Sequence, residues 1–181
     1  FLAQDVLYLD QFARVLAVGA TLADKPDIRE MFLRHASNVA RVEERLHAEL
    51  APYVGLDIEA VRRQEPAPVT VAYTDHLLRV AHGGTLGELA AAVLPCYWVY
   101  ARVGEHLARQ LPEDDVYRRW ILAYADRDFH RSVNEQLALV DHLATLAGTD
   151  ERERMERWFI RSLRYEWMFW DQAYRGVDWP I

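Results

Sequence analysis

The 181 residues are 51% hydrophobic and 27% charged, the composition of one folded domain and not of a disordered or membrane protein. The net charge is -7 and the 21 basic residues are scattered, which argues against a nucleic-acid partner because phosphate binding needs a concentrated basic surface. The single cysteine, Cys96, excludes an internal disulfide and suits a reducing cytoplasm. No apolar run approaches the ~18 residues of a membrane span.

Helical periodicity runs along almost the whole chain, and we find no alternating Val/Ile/Thr runs that would indicate strands. In the first segment, Leu2, Val6 and Leu9 recur at three- and four-residue steps. The predicted helices cover residues 1–23, 28–53, 57–64, 69–81, 85–110, 114–146 with an interruption near 131–132, and 150–174. The sequence therefore predicts an all-α bundle of six to seven helices joined by short turns.

Local signals set several of the predicted boundaries. Asp27 and Thr149 are predicted N-caps, because their side chains can accept hydrogen bonds from backbone N–H groups of a first turn. Thr85, followed three residues later by Glu88, forms a capping-box pattern. Pro95 lies inside the helix that follows and is expected to bend it, because proline removes one backbone hydrogen bond.

The last helix carries a glutamate on its apolar stripe, where Glu166 lies between Ser162 and Phe169. An ionised carboxylate buried without partners costs several kcal/mol, so this group is expected to be paired or to have a shifted pKa. Two interpretations follow. Glu166 is either a structural residue satisfied by an Arg or Tyr of a neighbouring helix, or an acid–base group of an active site.

Two other polar side chains share this ambiguity. Asp5 lies on the apolar face of the first helix, but a position near the N-terminus also suits the helix dipole. Cys96 directly follows Pro95 and has aromatic neighbours, yet such a cysteine is commonly a small buried hydrophobe. A nucleophilic role would require a base or a cationic environment, since the thiolate is the reactive form.

A metal centre of the helical-bundle type would need facing sets of Glu and His ligands. Glu43 and His47 have a suitable spacing of four residues. The later long helix offers only Tyr124, Asp128 and Arg131 at matching steps, and arginine does not ligate metals. We therefore expect no metal.

Several longer motifs follow one another along the chain: Gln4-Asp5-Val6-Leu7-Tyr8-Leu9, Pro66-Ala67-Pro68, Tyr73-Thr74-Asp75-His76, Leu94-Pro95-Cys96-Tyr97-Trp98-Val99-Tyr100, Trp120-Ile121 with Tyr124, and Ser162 through Tyr165-Glu166 to Phe169-Trp170 and Ala173-Tyr174. In this order they resemble the TenA family, also called thiaminase II or aminopyrimidine aminohydrolase, of the haem-oxygenase-like fold. The L-P-C-Y-W and E-x-x-F-W segments are specific to that family, whereas Leu7 stands where an aromatic residue is frequent.

The resemblance implies a bundle whose central pocket holds a 4-aminopyrimidine. By that resemblance Cys96 is the nucleophile, Glu166 is the general acid/base, and Asp5 binds the ring nitrogen and amino group. The residues implied to contact the ring or to lie near the cysteine are Tyr8, Tyr73, Phe169, Tyr100 and Tyr124. The implied reaction releases an amine or a thiazole from the pyrimidine methylene and adds water, without a cofactor, giving the hydroxymethylpyrimidine of thiamin salvage.

The resemblance also sets expectations for organisation and partners. The chain starts almost at the motif that follows the family's first helix, so we expect that helix to be missing from a single domain over residues 1–181. The expected partner is a small aminopyrimidine or thiamin, in a cytoplasmic homotetramer that binds neither nucleic acid nor membrane. Two alternatives stay open: a metal- or redox-dependent enzyme on the same fold, and a non-catalytic regulator.

Overall fold

The structure, a computed structural model, describes residues 1–180, apart from the side chains of residues 42–44. Within this part of the chain every regular element is a helix, which confirms the predicted all-α class. Besides a 3-10 helix at Ala51–Val54, the described helices are α1 (Leu2–Leu22), α2 (Pro26–Leu50), α3 (Ile58–Val61), α4 (Pro68–Gly83), α5 (Leu86–Leu107), α6 (Asp115–Tyr124), α7 (Arg127–Leu146) and α8 (Thr149–Arg175).

The eight described α-helices exceed the predicted six to seven because the stretch 114–146 forms two helices. The break lies between Tyr124 and Arg127, several residues before the predicted interruption near 131–132. Asp126 causes it, since its carboxylate accepts the backbone N–H of Asp128 at 2.8 Å and caps α7.

Two of the predicted N-caps are wrong by one or two residues. The helix α2 begins at Pro26 with Lys25 as its capping residue, and Asp27 lies in the first turn. Proline suits the first helical position because its missing N–H has no intrahelical partner there in any case. The helix α8 is likewise capped at Gly148, so that Thr149 is its first residue.

The central helix is α5, which packs against α4, α6, α7 and α8. Its first half is buried on all sides, as expected for a helix enclosed by others. The predicted cap is confirmed, because the Thr85 hydroxyl accepts the N–H of Glu88 at 3.2 Å. The Glu88 carboxylate instead accepts hydrogen bonds from Arg154 Nε at 2.6 Å and Trp158 Nε1 at 2.9 Å, which ties α5 to α8.

The helix α5 continues through Pro95, so the proline does not interrupt it. Proline lacks the N–H that would donate to the carbonyl four residues earlier, that of Ala91. One residue before that position, the carbonyl of Ala90 accepts a hydrogen bond of 2.9 Å from the buried amide of Gln136 in α7. The helix α7 thus supplies a hydrogen-bond donor to the backbone of α5 shortly before Pro95.

Two glycines allow helices to approach closely. A Cβ on Gly19 would lie 2.7 Å from the ring of Phe32, where α1 meets α2. A Cβ on Gly104 would lie 2.8 Å from the backbone of Tyr124, at the C-terminal end of α6. Within the residues that the structure describes, none of the helices is both long and apolar enough to span a membrane.

Candidate active site

The three predicted catalytic side chains come from three helices of the bundle. Asp5 of α1 and Glu166 of α8 are only 2% and 3% exposed, and Cys96 of α5 is half-buried. Burial raises the pKa of Tyr8 and of Tyr73, and the charges of Glu166 and Cys96 raise both pKa values further. Charge effects of this kind fade with distance, so the thiol and the carboxyl lie around the same tyrosines.

Glu166 is both paired and shifted in pKa. The hydroxyl of Tyr73 donates a hydrogen bond of 2.7 Å to its carboxylate. Burial raises the pKa of Glu166 to about 8, although the Tyr73 hydrogen bond lowers it and the charge of Asp5 raises it further. At neutral pH this carboxyl is therefore mostly protonated and can donate a proton.

Aromatic rings form the walls beside these groups. The ring centroids of Tyr8 and Tyr73 are 4.9 Å apart, and those of Tyr8 and Phe169 are 5.7 Å apart. Tyr165 stacks on the other side of Tyr73, with centroids 5.3 Å apart and planes 14° apart. The Tyr8 hydroxyl is buried and makes no hydrogen bond of good geometry with a described residue. The structure thus brings three of the predicted ring-contacting residues together.

Tyr100 and Tyr124 belong to a second aromatic cluster next to the first. Their ring centroids are 4.9 Å apart, and Trp120 lies 4.6 Å from Tyr124. Burial raises the pKa of Tyr100, and the charges of Glu166 and Asp5 add to this effect. Tyr100 therefore lies near both carboxyl groups, and Tyr124 packs against Tyr100 and Trp120.

His47 is a site residue that sequence reasoning considered only as a metal ligand. Its Nε2 lies 3.0 Å from the carboxylate of Asp5, and both side chains are almost completely buried. The same imidazole lines an open groove of about 480 Å³ between α1, α2 and the start of α4. The position of His47 on the apolar face of α2, three residues before buried Leu50, was the available signal.

A second missed histidine supports the Tyr73 wall. His76 Nε2 lies 2.9 Å from the hydroxyl of Ser162, and its ring is 5.3 Å from that of Tyr165. Burial, with a smaller effect of two nearby arginines, lowers the pKa of His76 to about 4. The imidazole is therefore neutral at pH 7, and it connects α4 with α8 beside the stacked tyrosines.

A buried amide network fixes the start of α4. Gln4 of α1 accepts hydrogen bonds from the backbone N–H of Ala67 at 2.9 Å and the hydroxyl of Thr70 at 2.7 Å. Gln172 of α8 accepts the N–H of Val69 at 2.7 Å and donates to Thr70 at 3.2 Å. The helices that carry Asp5, Tyr73 and Glu166 are therefore held together at one end by side chains that satisfy helix-terminal N–H groups.

The described side chains, which exclude residues 42–44, contain no group of three His, Cys, Asp or Glu that could hold a metal ion. The ligand candidate Glu43 is among those excluded, so its predicted spacing with His47 lies outside the described residues. The described groups instead combine a thiol, a carboxyl that is a proton donor at neutral pH, and an Asp–His pair. Such a set suits acid–base and nucleophilic chemistry on a flat ring.

Comparison with known proteins supports this interpretation. The model of the TENA/THI-4/PQQC family matches residues 1–176. The chain is 35% identical to an aminopyrimidine aminohydrolase of Bacillus subtilis, over 99% of this chain and 76% of that protein. It is 34% identical to an aminopyrimidine aminohydrolase of Halalkalibacterium halodurans, over 99% and 81% of the two chains. The solved structure of a TenA homologue from P. horikoshii superposes with a TM-score of 0.87 at 30% identity, covering 97% of this chain and 81% of that one.

Proposed function

We propose a substrate and a mechanism for this chain, which belongs to the TENA/THI-4/PQQC family and is an aminopyrimidine aminohydrolase of thiamin salvage. The substrate is a 4-amino-2-methylpyrimidine that carries an aminomethyl or a thiazolium substituent. The observation that supports this most is the common site of Cys96, Glu166 and Asp5, lined by tyrosine and phenylalanine rings. The relatives' names do not favour the metal-dependent, redox or regulatory alternatives.

Cys96 is the proposed nucleophile. An electron-poor pyrimidine accepts a soft nucleophile at a ring carbon, and a thiolate is the softest nucleophile among protein side chains. Addition of the sulfur breaks the aromaticity of the ring and pushes an electron pair onto a ring nitrogen. That nitrogen must then take up a proton.

Glu166 is the proposed proton donor. Its raised pKa of about 8 keeps the proton on the carboxyl at neutral pH, which a general acid requires. The Tyr73 hydroxyl at 2.7 Å fixes the orientation of this carboxyl. The leaving group then departs from the methylene as a neutral molecule, ammonia from an ammonium or thiazole from a thiazolium. Deprotonated Glu166 accepts a proton from the water that adds there, and the sulfur departs as the ring nitrogen releases its proton to solvent.

Asp5 and the aromatic rings orient the substrate in this proposal. The Asp5 carboxylate accepts hydrogen bonds from the amino edge of the pyrimidine, and His47 at 3.0 Å holds that carboxylate in place. Tyr8, Tyr73 and Phe169 stack on or contact the flat ring, while Tyr100 and Tyr124 close the site near the cysteine. The single domain over residues 1–181, without a bound cofactor, is part of the same proposal.

The proposal also includes a cytoplasmic homo-oligomer, a tetramer by family resemblance. The outer face of α8 exposes Ile160, Trp167 and Tyr174 at seven-residue intervals, with 39%, 65% and 92% of each residue accessible. A heptad spacing of apolar side chains is typical of helices that pack against another helix. Light scattering should show an oligomer that Trp167→Glu dissociates, while a monomeric wild-type chain would contradict this assembly.

The catalytic proposal is tested by ammonia release from an aminomethylpyrimidine. Cys96→Ala and Glu166→Gln should each lower turnover by several orders of magnitude, with unchanged circular dichroism. Glu156→Gln, the same substitution on an exposed face of α8, serves as the matched control and should leave turnover unchanged. Unaltered ammonia release by either site variant would remove that residue from the mechanism.

A further inference from the structure

A column of rings leads away from Tyr73 between α4 and α8, and the proposed mechanism uses only its inner end. Tyr165 of α8 stacks on Tyr73, with ring centroids 5.3 Å apart. His76 of α4 lies against the same Tyr165 ring, also with centroids 5.3 Å apart. Trp158 of α8 follows, and its ring centroid lies 5.6 Å from that of His76. Each ring of the column therefore rests on the next one.

The outer end of this column is anchored by polar contacts. Nε2 of His76 lies 2.9 Å from the hydroxyl of Ser162, and the two residues are only 7% and 0% exposed. The Nε1–H of Trp158 donates a hydrogen bond of 2.9 Å to the carboxylate of Glu88. The guanidinium of Arg161 lies over the Trp158 ring, 5.1 Å from its centroid. These contacts leave the imidazole of His76 little freedom to turn or to move outward.

The inner end of the column bears on Glu166. Tyr73 is almost completely buried, and its hydroxyl donates the 2.7 Å hydrogen bond to the Glu166 carboxylate. A hydrogen bond weakens steeply as its length and angle depart from the optimum. The place of the Tyr73 ring therefore decides whether this bond is made, and Tyr165 is one of the rings that fix that place.

Two hydrogen bonds join α4 to α8 at neighbouring levels. Tyr73 pairs with Glu166, and His76, three residues further along α4, pairs with Ser162, four residues earlier in α8. Residues at these spacings share one face of a helix. The contact between His76 and Ser162 thus sets how α4 lies against α8 next to the pair of Tyr73 and Glu166.

His76 has no charge at pH 7 with which to act on Glu166. Burial, with a smaller effect of the Arg161 and Arg79 charges, lowers the pKa of His76 to about 4. The titratable groups that surround Glu166 come from three other helices: Tyr73 of α4, Asp5 and Tyr8 of α1, and Tyr100 of α5. Any influence of His76 on the carboxyl must therefore pass through the packing of the rings.

We propose that His76 is a positioning residue for Glu166. Its ring holds Tyr165 in place, and Tyr165 in turn holds Tyr73 where the hydroxyl reaches the carboxylate. The imidazole neither gives nor takes a proton in this role. Without the ring, Tyr165 and Tyr73 relax into the space that it leaves, and the hydrogen bond to Glu166 weakens. The effect on turnover rests on the proposed role of Glu166 as the proton donor, whereas the effect on the carboxyl itself does not.

Infrared titration of the Glu166 carboxyl tests this inference without substrate. Ordinary carboxyl groups are ionised at neutral pH, so the C=O band of a protonated carboxyl should belong to Glu166 and should vanish in Glu166→Gln. The Tyr73 hydrogen bond lowers the pKa of this carboxyl. His76→Ala weakens that bond and should raise the pKa by about 0.5–1, which is about a three- to tenfold change in the ionisation constant. Tyr73→Phe removes the bond and should raise the pKa at least as far.

Two further variants separate positioning from a general loss of structure. His76→Phe keeps a ring against Tyr165 and should leave the pKa of Glu166 close to that of the wild-type chain. His82→Ala changes an exposed histidine of the same helix and should have no effect. A lower melting temperature of His76→Ala with an unchanged pKa would show a merely structural role and overturn the proposal. An equal rise in His76→Phe and His76→Ala would overturn it as well, since the ring would then not be the cause.

The result does not depend on one variant. If His76→Ala does not fold, Ser162→Ala removes the anchor of the imidazole and should raise the pKa of Glu166 in the same direction, and an unchanged pKa there would contradict the proposal. In the proposed mechanism the alkaline limb of ammonia release should move to higher pH with the pKa, because the acid stays protonated for longer.

Positioning and catalysis fail separately. A raised pKa in His76→Ala, together with full turnover of Glu166→Gln, would support the positioning role and reject the proposed function. An unchanged pKa in His76→Ala, together with an inactive Glu166→Gln, would do the reverse.

Discussion

The buried carboxyl of Glu166 should make the protein lose stability as the pH rises. Its pKa is about 8 in the folded chain against 4.5 for an ordinary glutamate, mainly through burial. Between these two values the folded state holds a proton that the unfolded state has released, so the free energy of unfolding falls with increasing pH. This contribution of Glu166 to the free energy of unfolding is fully present below pH 4.5 and is lost as the pH rises through about 8.

The size of the effect follows from the same shift. One pKa unit corresponds to about 1.4 kcal/mol, so the displacement from 4.5 to about 8 amounts to on the order of 5 kcal/mol. Glu166→Gln keeps the shape of the side chain and has no proton to lose. Relative to the wild-type chain, this variant should therefore gain on the order of 1 kcal/mol per pH unit between pH 5 and 8, and no more above that range.

Urea denaturation followed by circular dichroism at each pH measures the difference. Tyr73→Phe is the informative second variant: it removes a hydrogen bond that favours the ionised carboxylate, so it should extend the loss of stability to higher pH. Parallel pH profiles for the wild-type chain and Glu166→Gln would refute the reasoning. They would mean that the carboxyl ionises normally and is not the proton donor that the mechanism requires.

Three other predictions follow from the packing and the hydrogen bonds. Gly104→Ala should lower the free energy of unfolding by about 1–3 kcal/mol in urea titrations. The alanine Cβ would lie 2.8 Å from the backbone of Tyr124, which cannot move independently of its helix. A variant as stable as the wild-type chain would contradict the close approach. Gln172→Ala should cost about 1–3 kcal/mol in the same assay, since it removes a buried side chain and leaves the half-buried N–H of Val69 at the start of α4 without its acceptor. An exposed glutamine changed to alanine is the control. His47→Gln should lower kcat/KM about tenfold to hundredfold, mostly through a higher KM, because Asp5 loses its 3.0 Å hydrogen bond to the imidazole. Hydrogen bonds to charged groups are worth about 1.5–3 kcal/mol. An unchanged KM would show that this imidazole does not position Asp5.

Features that depend on neighbours along the chain could be predicted from the sequence. The Thr85 cap of α5 lies three residues from its partner, and the stripe around Glu166 repeats with the helical period. These local patterns were sufficient for the all-α class, and the longer motifs for the family. The sequence predicted the break between α6 and α7 several residues too late. In the sequence alone Asp126 resembles any polar residue of an amphipathic helix, and its role as the cap of α7 appears only in the structure.

Contacts between distant segments could not be predicted in the same way. His47 and Asp5 are 42 residues apart, and Tyr73 and Glu166 are 93 apart. Periodicity tells which face of a helix is buried, but it does not tell which residue of another helix meets that face. The pairings around Glu166 and Asp5 therefore appear only in three dimensions.

The central claim is that Cys96, Glu166 and Asp5 surround one pyrimidine, and a crystal structure of Glu166→Gln with bound hydroxymethylpyrimidine tests it most directly. We expect the ring beside Tyr8, with a ring carbon in van der Waals contact with the Cys96 sulfur and the amino group against Asp5. A pyrimidine bound instead in the open groove outside His47, remote from the sulfur, would contradict the account.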